Sequence, residues 1–149
     1  MRAWLQRLLG KKPSTIWVSH PIFLQHEPGR NHPEAPARIS AISAELQQQG
    51  IWRKLWRLEA EEADERQLAL VHPSKYLNYL EARQPQNGKI ARIDDDTVMS
   101  SHSLSAARCG AGAVIKAVDR VMQGRPTMLF VPCARPGTMR KATGQAAFA

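Results

Sequence analysis

The 149-residue sequence is short of several things at once. It has two cysteines, Cys109 and Cys133, in no zinc-binding spacing and too few for a disulfide framework, so a reducing, cytoplasmic compartment is expected. It has no apolar run approaching a membrane span, and no membrane partner is expected. The opening MRAWLQRLLGKK starts basic, but Gln6 and Arg7 break its apolar stretch and no small-residue cleavage site follows. A secretory signal is therefore not expected. Trp4, Leu5, Leu8 and Leu9 allow a short interfacial helix, beside the plainer reading of residues 1–14 as a basic extension.

Acids are missing from both ends. Arg2, Arg7, Lys11 and Lys12 stand alone among the first twelve residues, as do Arg125, Arg135, Arg140 and Lys141 after Gly124. The formal charge of +8 comes from these ends, because the body between Pro13 and Gly124 holds 13 basic and 13 acidic residues. A nucleic-acid binder needs its basic stripe on the folded part. The neutral body argues against that class, which would need its binding wholly in the two charged ends.

What is present begins with HEPGRNHPEAPARISAI, from His26 to Ile42. His26 and His32 are six apart with Pro28 and Gly29 between them, so they do not share a helix face as paired zinc ligands would. Pro33 and Pro36 fix φ and hold the preceding residues extended. The stretch reads as a stiff surface loop that opens a helix near Pro36. Ile39, Ile42 and Leu46 recur at helical spacing, and Gly50 stands where that helix should stop.

TIWVSH, Thr15 to His20, reads as a buried strand. IWRKLWRL is either a second short strand or a helical turn. The acid-rich EAEEADERQLALVH suits a helix start, with Leu68, Leu70 and Val71 on its apolar side. A further helix is expected over 73–83, with Tyr76, Leu77 and Leu80 inward. A long loop follows, marked by Pro85 and Asn87-Gly88. It carries Asp94, Asp95 and Asp96, which the residues alone give as a solvated loop with an Asx-type turn. Ser101 or Ser103 caps the strongest helix, about 103–123, and His102 reads as a capping-region residue rather than a base. Leu104, Ala107, Ala111, Val114, Val118 and Val121 trace one face of that helix.

In order, these pieces resemble the amino-terminal part of the histone deacetylase family, especially its bacterial class II-like and acetylpolyamine amidohydrolases. His32, Pro33, Glu34, Pro36, Arg38, Ile39, Ala41 and Ile42 follow its HPE-x-P-x-R-h-x-A-I element, where h is apolar. LALVHPSKYLNYL is similar to its V-H-x-x-x-Y segment, and DDDTVMSSHSLSAARCGAGAV to its D-T-x-x-S helix approach. The resemblance covers about 17–124. It implies an α/β fold: the front of the open, mainly parallel-sheet arginase/deacetylase-like architecture, helix-rich here. It also implies a parent that hydrolyses N-acetyl amides, of acetyl-lysine or acetylpolyamines, with zinc held by two aspartates and a histidine. By alignment to the helix that follows, Asp96 takes the place of a rim carboxylate that binds the substrate backbone.

The family's R-P-P-G-H-H-A element, its D-x-H zinc pair and its later aspartate ligand are missing. No catalytic residue, metal ligand or bound zinc is therefore expected in this chain. The tail suggests why. With codons chosen among the degenerate ones, residues from Val131 read from the third base give Ala-Val-Arg-Pro-Pro-Gly-His-His-Ala. A frame shift near Gly124 or Arg125 is expected, dividing the chain into an extension (1–14), a family-like part (15–124) and an out-of-frame tail (125–149). The chain would then be a truncated amidohydrolase, inactive alone and open to self-association. The rival reading is a small helical interaction module without catalysis.

Overall fold

The computed structural model describes residues 14–29, 35–86, 88–95, 97–124 and 128–133. At its centre is β1 (Thr15–Ser19), the strand expected from TIWVSH. β2 (Leu55–Glu59) and β5 (Met128–Phe130) flank it in the order β2-β1-β5, both parallel to it. A central parallel strand is covered on both faces and so carries an unbroken apolar run. Ile16, Trp17 and Val18 are accordingly all buried.

The two faces differ. Ile16 and Val18 join Phe23, Ile39, Ala60, Ala106, Cys109, Ala113 and Ala117 in the main core. Trp17 instead meets Trp52 edge-on at 5.1 Å and stacks on Phe130 at 5.3 Å.

The first helix, α1 (Pro36–Gln48), starts where the prolines predict, since Pro36 at the first turn forfeits no helical hydrogen bond. It stops before Gly50, whose φ of +66° is the left-handed cap expected there. IWRKLWRL contains both expected alternatives in succession, a 3-10 turn at Trp52–Lys54 and then β2.

The acid-rich stretch departs from expectation. Its helix, α2 (Glu65–Ala69), is short and begins at Asp64, whose side chain accepts from Gln67 N while Gln67 returns the bond in a capping box. Leu70 and Val71 are not on an apolar side: they are 84% and 76% exposed. The helix ends before them because Leu70 N and Val71 N turn to the carbonyls three residues back, those of Gln67 and Leu68, and Pro73 follows. The next helix, α3 (Ser74–Ala82), agrees with expectation, with Leu80 buried and Tyr76 and Leu77 half-buried. The long loop also contains a small antiparallel ladder, β3 (Ala91–Arg92) with β4 (Val98–Met99).

The long helix α4 (Ser103–Met122) forms, but it buries a different face from the one its large residues trace. Ser103, Ala106, Cys109, Gly112, Ala113 and Ala117 face inward, whereas Val114 and Val118 are 44% and 43% exposed. Close approach explains the choice. Ala63 N donates to Arg108 O at 3.0 Å, and a methyl group at Gly112 would run into the Glu61 carbonyl. Only small side chains fit beneath that loop. β5 falls in the segment read as an out-of-frame tail, and there it pairs Thr15–Trp17 with Met128–Phe130.

Candidate functional site

In open parallel sheets, ligands gather outside the carboxyl ends of the strands. Here β1 ends at Ser19 and releases the chain into the histidine-proline loop. His20 starts a 3-10 turn, Pro21–Leu24, its Nδ1 accepting from Ile22 N at 3.1 Å. Phe23 in that turn is fully buried and pins the loop to the core. Gln25 to Gly29 then pass over the start of α4.

His26 is the hinge of this arrangement, and its burial corrects the surface-loop reading. It is 4% exposed, and its Nδ1 lies 2.6 Å from Ser103 Oγ, across 77 residues of sequence. Ser103 Oγ accepts from Ser100 N at 2.7 Å and sits 3.0 Å from Ser100 Oγ. Ser100 Oγ in turn accepts from Glu27 N at 3.3 Å. Ser100 and Ser103 are each 8% exposed. The bonds run in one chain, from Glu27 N–H to the Ser100 hydroxyl, on to the Ser103 hydroxyl and from there to the His26 ring. Buried hydroxyls are retained cheaply only when paired in this way.

The helix start is thus fastened differently from the expected serine cap. His102 takes the N-cap position without a side-chain bond, and the Ser103 hydroxyl, inside the first turn, secures Ser100 and His26. The sequence shows the S-S-H-S string. It does not show that its partner lies 77 residues earlier.

A groove of about 330 Å³ opens beside this network. Gln25, Glu27 and Gly29 line it from one loop; Gly88, Ile90 and Ser100–His102 line it from the other. Asp96, the expected rim carboxylate, lies outside the described residues, as do His32 and Glu34 of the HPE element. Arg92 holds the described residues that precede Asp96, its Nε donating to Asp94 O at 3.1 Å and its guanidinium donating to Asp95 O at 2.8 Å. Burial, and then the Asp94 charge, push the Tyr76 hydroxyl above its ordinary pKa.

Among the described residues the other ionisable groups stand in separate contacts. His20 lies 3.8 Å from Glu59, and His72 packs 5.5 Å from the Tyr76 ring. Burial, and then Glu62, push the Cys109 thiol up, which disfavours the reactive thiolate. Among the described residues no three of histidine, cysteine, aspartate or glutamate converge as a metal's ligand set. No described helix is long and apolar enough to cross a membrane.

Comparisons with known proteins bear on this geometry. The family model for the histone deacetylase domain matches residues 32–139. An uncharacterized Synechocystis protein, slr0245, is 32% identical over 124 residues, covering 77% of this chain and 38% of its own length. A human polyamine deacetylase, HDAC10, is 31% identical over 95 residues, 61% of this chain and 14% of its own. The crystal structure of the HDA15 HD domain superposes with a TM-score of 0.74 at 27% identity, over 85% of this chain and 36% of that one. The chain therefore spans well under half the length of each of these proteins.

Proposed function

The chain belongs to the histone deacetylase family, and from that membership we propose that it is the front part of a zinc-dependent amidohydrolase acting on N-acetyl amides. The observation that carries the reading is the match of 32–139 to the family domain, a span that contains the HPE element, the V-H-x-x-x-Y segment and the helix approach. The substrate class is an acetylated lysine or polyamine, a choice supported by similarity to a polyamine deacetylase. In this reading Asp96 is the rim carboxylate that accepts hydrogen bonds from the substrate. The groove beside Glu27 and Ser101 is the outer part of the substrate path.

The described residues do not fit a zinc centre, since no three potential ligands converge among them. No hydrolytic step is therefore assigned to this chain, and alone it is expected to turn nothing over. Of the missing elements, the tail read in a changed frame, with codons chosen among the degenerate ones, gives the histidine-pair element, and the D-x-H pair and the later aspartate would lie beyond it. β5 supports a narrower position for the lesion than codon 125: its Phe130 stacks on Trp17 and its three residues continue the parallel sheet. One base inserted between the codons of Phe130 and Val131 leaves β5 intact. With the same choice of codons, it continues as one variable residue, then Ala-Val-Arg-Pro-Pro-Gly-His-His-Ala.

The test is the nucleotide sequence through codons 120–149 and the few hundred bases beyond. An open shifted frame encoding D-x-H and a later aspartate is expected, and the repaired protein should release acetate in a chelator-sensitive way. Stops in that frame, or unrelated coding sequence, refute the frame-shift account.

A further inference from the structure

The loop after β1 carries two imidazoles whose bonds respond differently to a change in ring charge. His26 bonds the Ser103 hydroxyl, which turns to donate or to accept. His20 Nδ1 accepts from Ile22 N at 3.1 Å, and a backbone N–H donates only. That bond needs Nδ1 bare, so the neutral ring keeps its proton on Nε2, 3.8 Å from Glu59 Oε1. Imidazole ordinarily titrates between about pH 5 and 8. The second proton goes to Nδ1, where it meets the Ile22 N–H head-on, while the full ring charge draws Nε2 towards Glu59.

The position of this bond gives it weight. Pro21 has no N–H, so Ile22 supplies the first donor of the 3-10 turn Pro21–Leu24, and His20 is its cap. The turn places Phe23 in the core at 0% exposure and leads to Gln25 and Gly29 in the groove lining. Among the described residues the charged group beside the ring is Glu59 of β2. α1 and α4 also pack on the turn and share the Phe23 core through Ile39, Ala106 and Cys109, whose thiol burial pushes up. The charges of those helices are engaged elsewhere: Glu45 with Gln49, Arg108 with Glu81 and Lys116 with Glu61, while Arg38 and Asp119 are exposed.

We infer that His20 is an acid-sensitive latch: neutral, it closes the turn that leads into the groove loop, and protonated, it leaves Ile22 for Glu59. The bond contributes above the ring's titration and is lost as pH falls through it. The latch stands on the turn's own geometry and is independent of the amidohydrolase reading.

The test follows the 149-residue chain by NMR between about pH 8 and pH 5, reading the His20 ring and the hydrogen-exchange protection of the Ile22 amide against its intrinsic rate. Protection should fall about fivefold, the worth of one capping bond, with the same midpoint as the ring. His20→Asn keeps an acceptor at the cap and does not titrate, so its Ile22 protection should hold through the whole range. His20→Ala should show the low protection at every pH. Glu59→Gln removes the carboxylate that draws the charged ring and should move the release to lower pH. Constant Ile22 protection while the ring titrates overturns the latch, as does an equal fall in His20→Asn. A release midpoint unmoved or raised in Glu59→Gln overturns the exchange of Ile22 for Glu59.

Discussion

Replacing Gly112 by alanine opposes two effects whose sizes are known. In a helix interior alanine is favoured over glycine by about 0.8–1 kcal/mol. Against that, the new methyl group would meet the Glu61 carbonyl and lie 2.8 Å from Ala63 N. Both neighbours are backbone, so no side-chain rotation relieves the clash; the 60–64 loop must move off α4. Overpacking of this kind costs about 1–3 kcal/mol. Moving the loop also loosens the Ala63 N to Arg108 O bond, worth about 0.5–1.5 kcal/mol. The net expectation for Gly112→Ala is a destabilisation of about 1–3 kcal/mol. Gly110, two residues away, supplies the control. A methyl group there would sit 3.6 Å from Cys133 Cβ, an ordinary contact, so Gly110→Ala should gain up to about 1 kcal/mol. Urea unfolding followed by circular dichroism, with unchanged slopes, measures both. A Gly112→Ala protein as stable as the parent would refute the close-approach argument, as would equal losses at the two sites.

The remaining predictions use the same loop and the outer face of α4. Lys116, by its hydrogen bond and then its charge, holds the Glu61 carboxyl below its ordinary value of 4.5. A lowered folded pKa stabilises the fold above that ordinary value and ceases to do so as pH falls through the folded one, so Lys116→Gln should raise the Glu61 midpoint seen by NMR; an unmoved midpoint contradicts the pairing. Asp64→Ala removes the side-chain acceptor of the α2 capping box and should cost about 0.5–2 kcal/mol in thermal unfolding, with Asp64→Asn close to the parent; equal losses would show that the cap is not the cause. Val114, Val118 and Met122 leave a one-faced apolar stripe at 44%, 43% and 81% exposure, so the chain should associate with rising concentration in sedimentation, and Val118→Lys should weaken that association; a parent that stays monomeric at every concentration would count against it.

Much of the fold was legible because local chemistry and tertiary use agreed. Pro36 and Gly50 bracket α1, and Ile16 to Val18 announce a strand covered on both sides. The α2 region was misread because an acid-rich run supports a helix start without fixing its position; the Asp64–Gln67 box did that, five residues after the run begins at Glu59. Of the site, the sequence showed residue types but not their meeting. His26 looks like a surface histidine among prolines, since the hydrogen bond that buries it comes from a serine 77 residues later. No periodicity carries that information.

The face of α4 that was misassigned has a further meaning. Its branched stripe and its small-residue face have the same helical period, so the pattern alone ranks the larger residues first. Distance reverses the ranking here: the sheet and the 60–64 loop approach so closely that only glycine, alanine, serine and cysteine fit. The branched stripe then lies uncovered on the described surface, near a sheet whose β5 leaves Met128, Leu129 and Phe130 exposed at 62%, 41% and 43%. The HDA15 domain superposes on this chain over 36% of its own length. Parallel sheets are ordinarily covered on both faces, and large apolar stripes ordinarily meet a partner. A helix apolar on two sides suits a layer packed between a sheet and a further element, and in the frame-shift reading proposed above the alternative frame would begin after Phe130, at the end of β5.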